Sequence, residues 1–335
     1  MKNQYKIIQN KLISYSKMVI CLFDHCNMRC SFCPQDHESR QGISEAEILS
    51  KIPFIVHWIN KESQSQEIKL HIMGGELFQD FLIEKDYLVI YQKFIDEISK
   101  RSNPEKRLIF NFITNLSFKE TTKIKKFFDH NQLKFSVSYD STGRFNTQTL
   151  AQFRSNIEYF QKYISMISIV MTKQTINKIV KGDELFDYLY KQFDCHFDEF
   201  LPSVPLSDSF IPLDSEKLIF YKLLIDKYPL CLNIEPFLSH EVNNKMTCTR
   251  GRSFTIMKDN TIPKECSGSI FLKEGNRIEL DTPKIVHDFL EKEQCHSCEY
   301  YQQCPFPCFV SEKYSRAKKD LGRCLYKGVF DYAKS

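Results

Sequence analysis

Three cysteines, Cys26, Cys30 and Cys33, stand close together in "DHCNMRCSFCPQDH" with the spacing C-x3-C-x2-C. Closely set thiolates are ligands for soft metals, zinc or the irons of an iron–sulfur cluster. A structural zinc or a closed cluster normally takes four protein ligands, so a set of three leaves one position for a distant side chain, a cofactor or a substrate. A second and denser set lies near the end of the chain. There "CHSCEYYQQCPFPC" followed by "GRC" supplies Cys295, Cys298, Cys304, Cys308 and Cys324, with Cys248 and Cys266 upstream. The chain holds 13 cysteines in 335 residues and no secretory leader, because its N-terminus is polar and its first apolar run, "MVICLF", is too short for a signal peptide or a membrane span. The cysteines therefore read as thiolate ligands in a reducing, cytoplasmic setting rather than as a disulfide framework.

These ligands need a scaffold, and the first two thirds of the chain alternate β-like runs with helical patterns. The expected strands are 18–24, 68–73, 107–114, 133–139, 164–171 and 197–204. Between them lie amphipathic segments such as "SEAEILSKIPFIVHWIN", with Ser44 and Glu47 at capping-box spacing, and "SEKLIFYKLLIDKY", stopped by Pro229. Six β–α units imply parallel strands joined by right-handed crossovers, hence an α/β fold built as a partial (β/α)6 barrel of the TIM type over residues 1–235. Residues 240–335 form a second region of short, cysteine-rich segments, expected to need metal to fold. A net charge of +4 and a pI near 8.3 are too mild to argue for nucleic acid. The lysines of "TTKIKKFFDH" and "RAKKDLG" read as solvated helix faces.

The first cysteine set falls in the loop after the first strand, at the end of the barrel where such folds place chemistry. With Phe32 directly before Cys33, it resembles the radical S-adenosylmethionine superfamily. That resemblance implies that three thiolates hold a 4Fe–4S cluster whose fourth iron is chelated by S-adenosylmethionine, and that one electron then releases a 5′-deoxyadenosyl radical. A zinc site completed by a distant ligand is the alternative. "MGGELF" resembles the family's GGE turn, which implies that Gly74, Gly75 and Glu76 receive the methionyl amino group, with glycine permitting close backbone approach. "ITNLS" resembles a Thr-Asn step at Thr114 and Asn115. "SVSYDSTGR" resembles a Ser-x-Asp element at Ser138 and Asp140, with Arg144 implied for the cofactor carboxylate. Each short match is equally readable as turn chemistry at a strand end.

The C-terminal region resembles the SPASM domain, which holds auxiliary 4Fe–4S clusters in enzymes acting on peptides; paired zinc knuckles are the alternative. The resemblance assigns Cys295, Cys298, Cys304 and Cys324 to one cluster and Cys248, Cys266 and Cys308 to the other, whose fourth ligand is undetermined. Two departures stand out: Thr261 replaces a family glycine, and no additional cysteine follows Cys248 in "CTRGRSF". Sulfatase-maturing relatives carry a proton-accepting aspartate after the second cysteine, where this chain has Ser267, which counts against that activity.

Of the remaining cysteines, Cys21 reads as an apolar strand residue. Cys195 and Cys231 are weak candidates for hydrogen-atom donors, with core packing the alternative. The expected function is oxidative cross-linking, carbon–carbon or thioether, of a ribosomally made precursor peptide. The expected cofactors are three 4Fe–4S clusters and S-adenosylmethionine, with an electron donor such as flavodoxin or ferredoxin, and no membrane or nucleic acid as partner. A peptide epimerase, a small-metabolite enzyme and a non-enzymatic metal or electron-transfer protein remain as alternatives. Only 17 residues precede the first expected strand, fewer than a leader-binding domain requires, so direct recognition of the peptide by the barrel and SPASM surfaces is expected, with a separate partner protein or a short leaderless motif as alternatives. Iron analysis of anaerobically reconstituted protein should find about twelve irons per chain, and triple replacement of Cys26, Cys30 and Cys33 by Ala should remove about four. Stoichiometric zinc in their place would overturn the cluster assignment.

Overall fold

The β-branched and aromatic runs of the sequence pair side by side as parallel strands. The computed structural model describes residues 15–33, 35–63, 65–140, 142–198, 208–239, 253–260, 282–306 and 320–335. Its strands are β1 Tyr15–Cys21, β2 Glu67–Met73, β3 Arg107–Thr114, β4 Lys134–Tyr139, β5 Ile164–Val170, β6 Cys195–Asp198 and β7 Ser253–Ile256. All six expected strands are present; the portion of the last expectation beyond Asp198 lies outside the described residues. The sheet order is β6-β5-β4-β3-β2-β1-β7, and every neighbouring pair is parallel. Helices fill the crossovers from β1 to β6, the arrangement of a partial barrel.

The seventh strand was not expected. It comes from the cysteine-rich region and pairs with the outer edge of β1, Lys17 opposite Ser253 and Ile20 opposite Ile256. Thr255 and Ile256 are buried there, so the short "SFTI" run covers an edge whose backbone groups would otherwise lack partners. The boundary expected near residue 240 is thus crossed by the sheet itself.

The helix expected from Ser44 starts with a complete capping box, in which the Ser44 side chain accepts from the Glu47 N–H and Glu47 reaches back to the Ser44 N–H. It does not run through. Pro53, with no N–H to donate, restarts the chain as a second helix, Ile52–His57, which ends in a π turn over Trp58–Glu62. The helix Asp214–Lys227 stops before Pro229 as expected.

Alternation along the strands gives the sheet two unlike faces. Ile68, Leu70 and Ile72 of β2 are fully buried against the helices, as are Phe135 and Val137 of β4. On that side Phe78 is enclosed by the rings of Tyr91, Phe112, Phe118, Phe128 and Phe135, with centroids 5.6–6.2 Å away. The opposite face carries polar side chains that meet across four strand boundaries. Asn111 Nδ2 donates to Ser136 Oγ at 2.7 Å and lies 3.4 Å from His71 Nδ1, while Ser165 Oγ donates to Asn111 Oδ1 at 3.2 Å. Further along, Ser168 donates to Asp198, which also pairs with His196.

The C-terminal helix Leu325–Ala333 packs on Asp214–Lys227. Phe237 stacks on Tyr326 and meets Phe330, which in turn stacks on Tyr300 at 4.6 Å. The described segments of the cysteine-rich region therefore do not rely on metal alone, contrary to the expectation from composition: an aromatic seam joins them to the barrel core. No described helix is long and apolar enough to cross a membrane.

Phe78→Ala should cost about 3–5 kcal/mol of stability by denaturant unfolding, because the cavity opens among five rings that cannot all collapse into it. A loss below about 1 kcal/mol would show that this cluster packs more loosely than described.

Candidate functional site

The loops that follow β1 to β4 gather most of the sequence-marked residues at one end of the barrel. In the first loop a turn closes from the Cys33 N–H to the Cys30 carbonyl at 3.0 Å, and the Met28 N–H approaches Cys26 Sγ at 3.4 Å. Met28, Cys30 and Phe32 sink together into a small buried cluster with Ile211, flanked by Cys26 and Cys33. The three thiols lie within electrostatic reach of one another, and burial pushes Cys26 up to about 12 and raises Cys30 and Cys33. Such thiols ionise only against a compensating positive charge, which a bound metal supplies.

The Gly74–Glu76 turn clamps this loop from the next strand. The Gly75 N–H donates to the Phe23 carbonyl at 2.9 Å and the Glu76 N–H to the His25 carbonyl at 3.1 Å. A Cβ on Gly75 would lie 2.2 Å from the carbonyl oxygens of both Asp24 and His25. Glycine is therefore required by the packing of the three-cysteine loop, a reason the sequence alone did not show. The Glu76 side chain does not face a ligand. It is fully buried and accepts from the Phe78 N–H at 2.9 Å, the Thr114 hydroxyl at 2.9 and 3.1 Å, and the Asn115 N–H at 2.6 Å. Only the backbone of this turn is left to meet a cofactor.

Asn115 reaches back to the first loop, donating to Asn27 Oδ1 at 2.9 Å and pointing at Cys26 Sγ from 3.9 Å. Ser138 is half-buried near the end of β4. Asp140 is fully buried and accepts from the Thr142 N–H and the Thr175 hydroxyl, both at 2.8 Å. Burial pushes its carboxyl up to about 6 against the opposing pull of Arg144. Arg144 is the shared cation of the site: its charge favours the ionised forms of Cys30, Cys33, Glu76 and Asp140. Its guanidinium lies over the Phe32 ring, 5.5 Å from the centroid, and its buried Nε has no hydrogen-bond partner. A buried donor left unmatched is costly unless a ligand meets it.

At the other end of the described chain, Cys295, Cys298, Cys304 and Cys324 come together. Cys304, raised by burial to about 12, is within electrostatic reach of the other three. Cys324 opens the helix Leu325–Ala333; burial raises its pKa, opposed by the N–H groups of Lys327 and Tyr326. Cys248, Cys266 and Cys308, like Thr261 and Ser267, lie outside the described residues. Among the described residues no three His, Cys, Asp or Glu side chains converge closely enough to share one metal ion.

Cys195 and Cys231, the candidate hydrogen-atom donors, lie where core packing would place them. Each is 1 % exposed and packed in the helix-side core, with Cys195 on the strand face opposite His196 and Asp198. Cys21 is buried, as expected. The sequence reading missed the polar line from His71 to Asp198 and two lysines, Lys51 and Lys258. The line was signalled by polar residues at every second strand position in "KLH" and "FSVS", unusual for a parallel sheet covered on both faces.

Comparisons with known proteins agree with this architecture. The structure of native anSMEcpe with bound AdoMet and Cp18Cys peptide aligns with a TM-score of 0.67 and 18 % identity, over 96 % of this chain and 97 % of that one. Native anSMEcpe with bound AdoMet gives 0.65 and 17 %, over 95 % and 97 %. Streptococcus suis SuiB gives 0.52 and 14 %, over 96 % and 81 %. At these identities the likeness is one of fold. No family model matches the chain, and no curated protein matches it.

Gly75→Val should lower iron content by about one cluster, about four irons, because the new side chain displaces the backbone next to Cys26. Iron analysis after anaerobic reconstitution checks this, and unchanged iron would show that the loop can yield.

Proposed function

We propose that the chain is a radical AdoMet enzyme that cleaves S-adenosylmethionine and oxidatively modifies a ribosomally made peptide through a carbon–carbon or thioether bond. One observation carries the reading: the three-cysteine loop sits beside an arginine whose buried Nε lacks a partner. The shared fold supports it. The neighbouring structures include anSMEcpe with AdoMet and a peptide, and SuiB with its precursor peptide SuiA, the latter at a TM-score of 0.51.

Cys26, Cys30 and Cys33 would hold a cluster able to supply the electron for cleavage of AdoMet, and Cys295, Cys298, Cys304 and Cys324, with Cys248, Cys266 and Cys308, would hold auxiliary clusters able to accept an electron from substrate oxidation. Arg144 presents its fork to the cofactor carboxylate. The carbonyls of the Gly74–Glu76 turn would receive the amino group. Two of them are held in orientation by side-chain amides, Gly74 O by Gln35 Nε2 at 3.4 Å and Glu76 O by Gln79 Nε2 at 2.7 Å. Asn115 and Ser138 complete the rim, while Asp140 and Glu76 act from behind by fixing the loop ends. The hydroxyl, amide and imidazole groups of the polar sheet face offer hydrogen bonds to a peptide backbone. Flavodoxin or ferredoxin in the cytoplasm is the proposed electron source. The candidate donor thiols for an epimerase, Cys195 and Cys231, are each 1 % exposed within the hydrophobic core.

With dithionite and AdoMet the iron-loaded protein should form 5′-deoxyadenosine, and Cys30→Ala should abolish it. Arg144→Ala should weaken AdoMet binding roughly tenfold to a hundredfold, the worth of a charge-assisted hydrogen bond. Absence of 5′-deoxyadenosine from the loaded wild type would remove the proposed function. Unchanged affinity in the variant would remove only the role of Arg144.

A further inference from the structure

We infer that Lys258 is a positioning residue for the Cys26–Cys33 loop: seated by the buried Lys51, it neutralises Asp24 and so sets the charge beside the cluster. The inference rests on the proposed function and adds a link from the cysteine-rich region to the radical-generating site.

The geometry begins at β7. Its pairing with β1 carries the following turn, residues 257–260, alongside the start of the first loop. That turn is held from beneath. Lys51, between the two helices that follow Ser44, is 0 % exposed, and its ammonium donates to the carbonyls of Met257 at 3.0 Å and Lys258 at 2.9 Å and to Asn260 Oδ1 at 2.9 Å. Three N–H groups thus meet three acceptors on one turn. Asn260, in the left-handed region at φ 64°, also donates through Nδ2 to Ser50 Oγ at 2.9 Å. Burying a lysine this completely is costly, and the burial draws its pKa down to about 8. The three hydrogen bonds offset that cost, and they hold the turn in place.

What the turn positions is the Lys258 side chain. Its Nζ lies 2.5 Å from Asp24 Oδ2, with the two side chains 22 % and 18 % exposed. Asp24 precedes Cys26 by two residues. Its other oxygen accepts from Gln35 Nε2 at 3.5 Å, and the Gln35 side chain lies against the Cys33 sulfur, with Oε1 3.7 Å from Sγ. A relay of Lys258, Asp24, Gln35 and Cys33 therefore runs from a distant stretch of the chain to a cluster ligand. The Asp24 charge is felt at the Cys33 sulfur, where it disfavours further negative charge. The Lys258 ammonium, paired with Asp24, opposes that charge. Gly42, at φ 84°, lets its own loop pass between the Leu22 carbonyl, 2.2 Å from where a Cβ would stand, and the Lys258 side chain.

Reduction adds one negative charge to the cluster, so an uncompensated Asp24 would oppose it. The test is an EPR-monitored redox titration of anaerobically reconstituted enzyme, following the signal that is lost in the Cys26/Cys30/Cys33→Ala variant, with iron content measured in parallel. K258M should shift that midpoint to more negative potential or lose that cluster. K258R should behave as wild type, and K258M/D24N should restore both midpoint and iron, because the orphaned charge is gone. A wild-type midpoint in K258M, or a double variant as impaired as K258M alone, would overturn the inference and make Lys258 a packing residue. A wild type lacking the cysteine-dependent signal would instead remove the proposed function, and this inference with it.

Discussion

A carboxylate with no access to water must have its charge met inside the protein, and the rest of this site is arranged around that demand at Glu76. The donors that meet it are the Thr114 hydroxyl, the Asn115 N–H and the Phe78 N–H, so the ends of β2 and β3 are locked in a single register. Burial raises its pKa, and these bonds together with the Arg144 charge oppose the rise. Because the Glu76 N–H also binds the His25 carbonyl, the same residue fixes the first loop against the second. Cys26 is the next residue along. The position of the first thiol therefore follows from where a buried charge could be satisfied.

Much of this was legible in the sequence, for physical reasons. Strands such as "RLIFNFIT" and "LKFSVSY" announce themselves by β-branched and aromatic runs, and they appear as Arg107–Thr114 and Lys134–Tyr139. The ends of those strands were readable because the partial-barrel order puts loops there. What stayed hidden was the role of each marked residue. Glu76 and Asp140 look like ligands in a motif, yet their carboxylates are consumed by Thr114, Asn115, Thr142 and Thr175. Local sequence shows that a carboxylate is present at a strand end; only tertiary contacts decide whether it faces the ligand or the scaffold.

The same limit explains β7 and the two lysines. A four-residue strand has too short a period to register against a region dominated by cysteine spacing, and its partner β1 lies more than two hundred residues away. Lys51 sits in a helical stretch where a charged residue normally marks the solvated face. The helix breaks there because Pro53 forces a restart, and the break lets the lysine turn inward to the 257–260 carbonyls. Composition likewise suggested that the last third of the chain has no core. The aromatic seam of Phe237, Tyr300, Tyr326 and Phe330 supplies a core to its described segments, with Cys298, Cys304 and Cys324 packed at the margin.

Charge balance also links the regions that sequence separates. The first loop carries three thiols at its heart, two fully buried carboxylates behind it and Asp24 at its base, and burial makes negative charge on the thiols and on those two carboxylates unfavourable. Against them stand two cations at opposite sides, Arg144 from the loop after β4 and Lys258 from the turn after β7. Arg144 has an unmatched donor and exerts its charge on the thiols, which suits a group that receives an anionic ligand. Lys258 is engaged by Asp24, which suits a group that holds the loop in place. The division follows from anchoring. A cation that must meet a ligand needs a donor left free, whereas one that fixes a backbone needs its own backbone fixed, and that is what the three hydrogen bonds from Lys51 accomplish.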